Sequence, residues 1–165
     1  MDNQQPYTHV THEFPPLFDA ECEVLILGSM PSPKSREQGF YYGHPQNRFW
    51  KVIAAVLGEE VPRTIEEKKH MMLAHHIALW DVLEACDIRG ASDSSVKNPV
   101  PTDLCALLRQ TRVTRVYTTG ATAYRYYQKF QFPLTRLEAI QLPSTSPANC
   151  AVSLPQLIAC YRVIC

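Results

Sequence analysis

The chain has 165 residues, 16 basic and 16 acidic side chains, 13 prolines and 6 cysteines. This length fits a single domain whose core is large enough to fold without disulfide or metal staples. No stretch approaches the ~20 apolar residues of a membrane span, no signal-peptide pattern opens the chain, and six cysteines without tight spacing argue against a secreted disulfide scaffold.

The first half of the chain predicts strands and helices around one long loop. Residues 1–21 carry three prolines and little periodicity, which predicts an irregular lead-in. The apolar run at 23–28 ends in glycine and is typical of a buried parallel strand. Residues 29–46 are rich in Pro, Ser and Gly, and a loop of that length is usually functional. Helices are predicted at 47–57 and, from a capping box, at 64–75, and a second strand at 77–80.

The second half continues this alternation. Its predicted elements are a polar loop at 87–101, a helix at 102–110 capped by Thr102, a strand at 115–120, a helix at 122–130, a strand at 137–141, a Pro/Ser/Asn loop at 142–151 and a last helix capped by Ser153. Alternating strands and helices predict an α/β domain with a mainly parallel sheet and helices on both faces. Ligands bind such sheets beyond the carboxyl ends of the strands, where the loops 29–46 and 142–151 begin.

Charge is unevenly distributed along the chain. Residues 104–165 contain seven basic residues and one acid, Glu138, whereas residues 1–33 contain five acids and no base. A basic C-terminal third can present a positive face to a polyanion. A solvated helix face would have the same composition, so this pattern alone leaves both interpretations open.

Several familiar site motifs are missing. The chain has no G-x-x-x-x-G-K-[ST], no G-x-G-x-x-G, no G-x-S-x-G and no C-x-x-C. The cysteines therefore predict small buried apolar residues rather than a zinc or iron–sulfur site, and we expect neither a metal nor another cofactor. Without a phosphate-cradling glycine motif, a nucleotide-binding protein unrelated to DNA is also disfavoured.

Residues 28–51, GSMPSPKSREQGFYYGHPQNRFWK, form the first informative block. Phe40, Tyr41 and Tyr42 offer ring faces on which a nucleobase can stack. Asn47 can present its amide to a base edge or to a water molecule. A structural role fits as well, with Phe40 and Tyr42 in the core and Asn47 as a helix N-cap.

Residues 142–149, LPSTSPAN, form the second block. Hydroxyl and backbone N–H groups in a proline-stiffened loop can hold phosphate oxygens without a formal charge. An ordinary polar loop with capping hydroxyls has the same composition. The pattern by itself does not choose between a DNA contact and a plain connection.

Together the two blocks resemble the uracil-DNA glycosylase superfamily. The strings GSMPS and YYGHPxNRFW after an apolar strand, the strand end YTTG at Gly120 and the LPSTSPAN loop are similar to its hypoxanthine-DNA (deoxyinosine) glycosylase branch, over residues 22–162. The resemblance implies one domain, spanning 1–165, that folds as a three-layer α/β/α sandwich around a four-stranded parallel sheet. The alternation of predicted elements agrees with that fold.

The resemblance also implies a monofunctional DNA repair hydrolase without metal or cofactor. It would flip a deaminated base, hypoxanthine in deoxyinosine, out of the duplex and hydrolyse its N-glycosidic bond, leaving an abasic site. Its partner would be double-stranded DNA containing that base, with no membrane and no obligatory protein partner, and we expect it to act in the cytoplasm at the nucleoid.

Two positions depart from related branches. Met30 stands where the mismatch-specific uracil glycosylases have Asn, and Leu142 stands where the classical uracil enzymes have His. In the hypoxanthine branch the Asn of the His-Pro-x-Asn string is catalytic, which assigns Asn47 the role of orienting the water or the base. The mismatch-specific relatives carry an Asn there too, which leaves a pocket-shaping role open.

The remaining site assignments follow from position in the two blocks. Around the base we expect Phe40, Tyr41, Tyr42, Ser29, Met30 and His44. Along the DNA backbone we expect Ser32, Ser35, Ser144, Thr145, Ser146 and Asn149, with phosphate attraction from Arg125, Lys129 and Arg136.

Two other functions remain in view. The first is the same reaction on uracil or thymine in mismatches. The second is a non-catalytic module that binds the lesion, which Met30 keeps open because the water-orienting Asn of relatives is missing there. Substrates containing deoxyuridine and deoxyinosine, tested side by side, separate these possibilities.

Overall fold

The computed structural model describes residues 5–165, which form seven strands and seven α-helices. The strands are β1 (Thr8–Thr11), β2 (Val24–Gly28), β3 (Ile77–Asp81), β4 (Leu83–Ile88), β5 (Lys97–Pro101), β6 (Arg115–Thr119) and β7 (Ala139–Leu142). The helices are α1 (Pro33–Gln38), α2 (Phe49–Leu57), α3 (Ile65–Ala74), α4 (Leu104–Arg109), α5 (Ala121–Tyr126), α6 (Phe132–Thr135) and α7 (Leu154–Tyr161). No helix in this range is both long and apolar enough to cross a membrane.

The central sheet has four parallel strands in the order β3-β2-β6-β7. All five residues of β2 are buried, as expected for a strand covered on both faces. Val24 and Ile26 pack into one core with residues of α2, α3 and α7, while Leu25 and Leu27 pack into a second core with residues of α4 and α5. The predicted α/β fold, a three-layer α/β/α sandwich around a four-stranded parallel sheet, is confirmed.

A second sheet of three antiparallel strands, in the order β1-β4-β5, was not predicted. Residues 87–101 were expected to be a loop, but they contain the end of β4 and all of β5. Strand β5 has the sequence KNPVP, with two prolines and almost no buried side chain. Such an edge strand lacks the apolar alternation by which strands are recognised, so its pairing with β4 decides its conformation.

The prediction of an irregular lead-in over residues 1–21 is wrong for part of that range. Strand β1 pairs antiparallel with β4, and Leu17 exchanges two backbone hydrogen bonds with Leu79 of β3. Residues 1–4 lie outside the described residues. Both contacts join residues more than 60 positions apart, and local periodicity cannot predict contacts of that range. The two contacts also bring His12 next to the end of β3.

Local caps fix the ends of several helices. Thr64 and Glu67 form the predicted capping box of α3, and Ser153 caps α7 as predicted. The N-cap of α4 is Asp103, whose carboxylate accepts the N–H of the first helical turn. Thr102, predicted for that role, instead donates its hydroxyl to the carbonyl groups of Asp81, the last residue of β3, and of Val82, which follows it.

Candidate active site

A cavity of about 320 Å³ lies at the carboxyl ends of the parallel strands. Its floor contains Gly28 from β2, Asp81 from β3 and Thr119 from β6. The loop after β2 and the loop after β7 form its walls, and the β4–β5 turn closes one side. The two Pro/Ser-rich loops therefore meet at one cleft, as the strand order requires.

Serine hydroxyls fold the loop after β2. Ser32 caps α1 by accepting the N–H of Ser35 at 3.1 Å. Ser35 is buried and accepts the N–H of Gly43 at 2.9 Å. Both serines line the cavity, and each uses its oxygen to hold the segment that carries the aromatic residues.

The first of three consecutive aromatic residues lies away from the cavity. Phe40 is 5% exposed, belongs to the hydrophobic core and stacks on Trp50 with ring centroids 6.1 Å apart. It is not among the cavity-lining residues. We withdraw Phe40 from the base-binding set, because its ring has no face free for a base.

Tyr41 and Tyr42 both reach the cavity. The ring of Tyr42 stacks on Phe49 at 3.8 Å, and its hydroxyl lies 3.3 Å from the hydroxyl of Thr119. The hydroxyl of Tyr41 donates to the carbonyl of Pro15 at 3.1 Å. Burial raises the pKa of both phenols, and the nearby charge of Asp81 raises each further, so both remain neutral.

Asn47 lies where the two loops meet. Its Oδ1 accepts the N–H of Phe49 at 2.9 Å and the hydroxyl of Thr145 at 2.8 Å. A backbone N–H only donates, which identifies the bonded atom as the oxygen and leaves Nδ2 without a partner among the described residues. Asn47 lines the cavity, so the amide oxygen bonds the first residue of α2 while the two N–H groups of Nδ2 are available at the cleft.

Arg48 holds the loop after β7 in place. Its guanidinium donates to the carbonyl oxygens of Val152 at 2.6 Å, Asn149 at 2.9 Å and Ser146 at 3.3 Å. Its backbone N–H donates to the carbonyl of Thr145 at 3.1 Å. One residue of the first block therefore sets the conformation of the second, in the planar, multiply bonded geometry for which Arg is suited.

The polar side chains of that second loop mostly bond within it. Ser144 Oγ accepts the N–H of Ser146, and Ser146 Oγ accepts the N–H of Ala148, both at 3.1 Å. Asn149 donates to the carbonyl of Ser144 at 2.9 Å and does not line the cavity, and Thr145 is 1% exposed. Since Ser144 and Ser146 act as acceptors, their hydroxyl hydrogens stay available for an anion.

Met30, His44 and Ser29, which the sequence placed around the base, also line the cavity. His44 Nδ1 accepts the N–H of Gln46 at 3.1 Å, so in the neutral ring Nε2 carries the hydrogen and can donate. Ser29 donates its hydroxyl to Asp93 Oδ1 at 3.1 Å. Desolvation at the cavity raises the pKa of Asp93, and the charge of Asp81 acts in the same direction.

Sequence reasoning missed two carboxylates and a histidine. Asp81 and Asp93 line the cavity, and His12 Nε2 lies within hydrogen-bond distance of Asp81 Oδ2, at 2.7 Å. The acid that ends the apolar run IALWD was a usable signal for Asp81, because charged residues at such strand ends face the ligand. His12 and Asp93 gave no signal, since they reach the site through the unpredicted second sheet.

The cleft offers both kinds of hydrogen-bonding group to a planar heterocycle. N–H donors come from Asn47 and His44, acceptors from Asp81 and Asp93, and an aromatic wall from Tyr42. Over residues 5–165, no three His, Cys, Asp or Glu side chains converge as a metal site would require. Such a slot suits an uncharged aromatic base better than a phosphate.

A family model described as the uracil DNA glycosylase superfamily matches residues 15–159. The chain belongs to the uracil DNA glycosylase superfamily. The hypoxanthine DNA glycosylase of Methanosarcina acetivorans is 35% identical over 140 residues, which cover 82% of this chain and 86% of that protein. A protein of the same name from Methanosarcina barkeri is 36% identical over 86 residues, 52% of this chain and 54% of that protein.

A solved structure of the superfamily has the same fold. The solution NMR structure of a candidate uracil DNA glycosylase from Methanosarcina acetivorans superimposes with a TM-score of 0.77 at 30% identity, over 92% of this chain and 96% of that chain. The resemblance drawn from the two sequence blocks is confirmed, and the protein is a DNA glycosylase. The matched range contains both loops and all four strands of the superfamily sheet.

Proposed function

We propose that this glycosylase removes hypoxanthine from DNA. A deoxyinosine nucleotide swings out of the duplex into the cavity, and hydrolysis of its N-glycosidic bond leaves an abasic site. Two relatives named hypoxanthine DNA glycosylase support this substrate. The observation that carries the proposal is the amide of Asn47, whose oxygen is held by Phe49 and Thr145 and whose nitrogen stands free at the cavity.

The reaction breaks the bond between C1′ of the sugar and N9 of the base. The bonding electrons leave with the base, water adds to C1′, and the proton released by that water ends on the base. Negative charge therefore develops on the departing base, and donors fixed before the reaction stabilise it without reorganising. Asn47 Nδ2 and His44 Nε2 provide side-chain N–H donors at the cavity, and the two bonds to Oδ1 fix the first of them.

The walls of the cleft supply the remaining contacts. Tyr42, backed by Phe49, packs against the extruded base, while Tyr41, Ser29 and Met30 complete the pocket. Ser32 and Ser35 shape the first loop, and Ser144 and Ser146 direct their hydroxyl hydrogens to the DNA backbone. Thr145 and Asn149 hold the second loop in the conformation that meets the duplex.

The substrate that follows from this arrangement is duplex DNA containing the deaminated base. Extruding a base costs a few kcal/mol and costs less when the base is mispaired, as a deaminated base is. The enzyme then acts in the compartment that holds the DNA, and one protein face on one duplex requires no further protein partner.

A second candidate substrate is uracil. The superfamily is named for uracil removal, and the NMR structure with this fold is described as a candidate uracil DNA glycosylase. The same donors would stabilise a departing uracil anion. The two candidates differ in the base that the purified protein excises fastest.

The test uses the purified full chain and end-labelled duplexes containing one deoxyinosine, one deoxyuridine or an unmodified adenine at the same position. We expect alkali-labile breaks at deoxyinosine, none at adenine, and loss of most activity in Asn47→Ala at an unchanged fold. Breaks at deoxyuridine alone would transfer the proposal to uracil. Tight binding of the deoxyinosine duplex without an abasic product would instead identify a lesion-binding module.

A further inference from the structure

The proposed hydrolysis also needs a group that accepts a hydrogen bond from the attacking water. An amide oxygen has two lone pairs, and Asn47 Oδ1 already accepts the N–H of Phe49 and the hydroxyl of Thr145. His44 Nδ1 is occupied as well, because it accepts the N–H of Gln46. The acceptor for the water must therefore come from elsewhere in the cavity.

Two carboxylates line the cavity, and they lie at different depths. Asp81 ends β3 at the floor, where it is 4% exposed, and its Oδ2 lies 2.7 Å from His12 Nε2. Asp93 belongs to the single turn Asp93–Ser95 before β5 and is exposed at the mouth. An extruded base enters first while its sugar stays tied to the DNA strand, so C1′ lies nearer the mouth than the base does. Asp93 is therefore the carboxylate on the sugar side.

Ser29 holds the Asp93 carboxylate in one orientation. Its hydroxyl donates to Oδ1 at 3.1 Å, and Oδ2 has no hydrogen-bond partner among the described residues. Desolvation raises the pKa of Asp93 despite the hydrogen bond from Ser29, which lowers it. A raised pKa makes a carboxylate a better acceptor for a proton of water, which is the property of a general base.

We propose that Asp93 is the general base that orients the attacking water, with Ser29 as its positioning residue. As the bond between C1′ and the base breaks, its electron pair leaves with the base and the water oxygen bonds to C1′. One proton of that water passes to Asp93 Oδ2 and then to the departed base, which restores the carboxylate. The inference deepens the proposed function, on which it rests, by naming the group that acts on water.

The test measures single-turnover cleavage of the deoxyinosine duplex, and binding of the same duplex, by the full chain carrying Asp93→Asn. The amide keeps an acceptor for Ser29 but takes no proton. General-base catalysis contributes typically about 10²–10⁴-fold, so we expect cleavage to slow by about 10²-fold or more. Binding should not weaken, because the change removes a negative charge from a surface that faces phosphates. A purely structural role for Asp93 would weaken binding and cleavage together.

Asp87→Asn is the matched control for this change. Asp87 lies on β4, bonds His9 and Asn98 at 2.8 Å each, and is not among the cavity-lining residues. The same replacement of a carboxylate by an amide should leave the rate of cleavage at the wild-type value there.

The pH dependence of cleavage separates a base from a structural carboxylate. Only the ionised form accepts a proton, so wild-type cleavage should fall as the pH drops through the pKa of Asp93, above the ordinary aspartate value of about 3.9. Asp93→Asn should lack this fall. Ser29→Ala removes the hydrogen bond that lowers the pKa, so its fall should begin at a higher pH.

Other titratable or charged groups near Asp93 could cause a similar fall in rate. They are Asp81 on β3, Cys86 on β4, Arg125 on α5 and His44 across the cavity. A fall that persists unchanged in Asp93→Asn would belong to one of these groups and would overturn the assignment.

Each remaining outcome bears on a different statement. An unchanged rate in folded Asp93→Asn overturns the role of Asp93 and leaves base excision standing. If the wild type cleaves deoxyuridine alone, the substrate changes, and the same variants are compared on deoxyuridine with the same expected results. A wild type that cleaves neither base overturns both proposals. Should Asp93→Asn not fold, the pH profile of Ser29→Ala decides, and a profile that does not shift overturns the role of Asp93.

Discussion

We expect the carboxamide of Asn47 to perform two separable functions, one for each of its end atoms. Its oxygen joins the start of α2 to the second loop through Phe49 and Thr145, and its nitrogen stands at the cavity. Asn47→Asp keeps an oxygen for both internal bonds and replaces the nitrogen by a second oxygen. The variant therefore removes the donor while leaving the loop connection in place.

The magnitude follows from what each change removes. Loss of one preorganised donor to a developing anion typically costs about 10²–10³ in rate, and we expect Asn47→Asp to reach the upper end, because the new oxygen repels the departing base. Asn47→Ala also removes two neutral hydrogen bonds at about 0.5–1.5 kcal/mol each, or ~1–3 kcal/mol of unfolding free energy. Thr145, 1% exposed, would then keep a buried hydroxyl without its acceptor.

The assay pairs single-turnover cleavage of a deoxyinosine duplex with urea unfolding of each variant. Asn47→Asp should unfold close to wild type yet cleave slowly, and Asn47→Ala should lose both stability and activity. Thr145→Val is the matched control, because it breaks one hydrogen bond to Oδ1 and leaves Nδ2 intact. We expect a clear fall in its free energy of unfolding and a smaller effect on its rate of cleavage. Wild-type cleavage by Asn47→Asp would refute the donor role and identify the oxygen, acting on water, as the catalytic atom.

Three further predictions concern the framework of the site. Arg48→Ala should lower the unfolding free energy by ~2–4 kcal/mol and slow cleavage, because three loop carbonyls lose a charged donor. The control is Arg112→Ala, at a surface arginine that is 67% exposed, which should change the unfolding free energy by less than ~1 kcal/mol. Equal unfolding curves for the two variants would contradict this prediction. Gly28→Ala should reduce cleavage in a protein that still folds, because the new Cβ would lie 2.5 Å from Asp81 Oδ1, and undiminished rates would show that this oxygen does not face the substrate. Phe40→Leu should cost about 1–3 kcal/mol of stability as a core change without altering the deoxyinosine/deoxyuridine preference; a changed preference would return Phe40 to the base-binding set.

The sequence by itself determined the features that depend on neighbouring residues. The apolar run 24–28, which ends in glycine, is typical of a buried strand, and Thr64 with Glu67 closes a capping box within one helical turn. The spacing of apolar residues predicted a helix at 47–57, of which α2 forms residues 49–57, and the alternation of strands and helices put the two loops at one edge of the sheet. These predictions succeeded because hydrophobic burial and capping act over a few residues.

Only the tertiary structure decided what reaches the cavity and in which orientation. His12 and Asp81 are 69 positions apart, and Arg48 bonds carbonyl oxygens 98 to 104 positions ahead of it. Phe40 and Tyr42 have the same aromatic character in sequence, yet one stacks in the core on Trp50 and the other at the cleft. Contacts of this kind depend on how separate elements pack, and no local pattern of residue types encodes that packing.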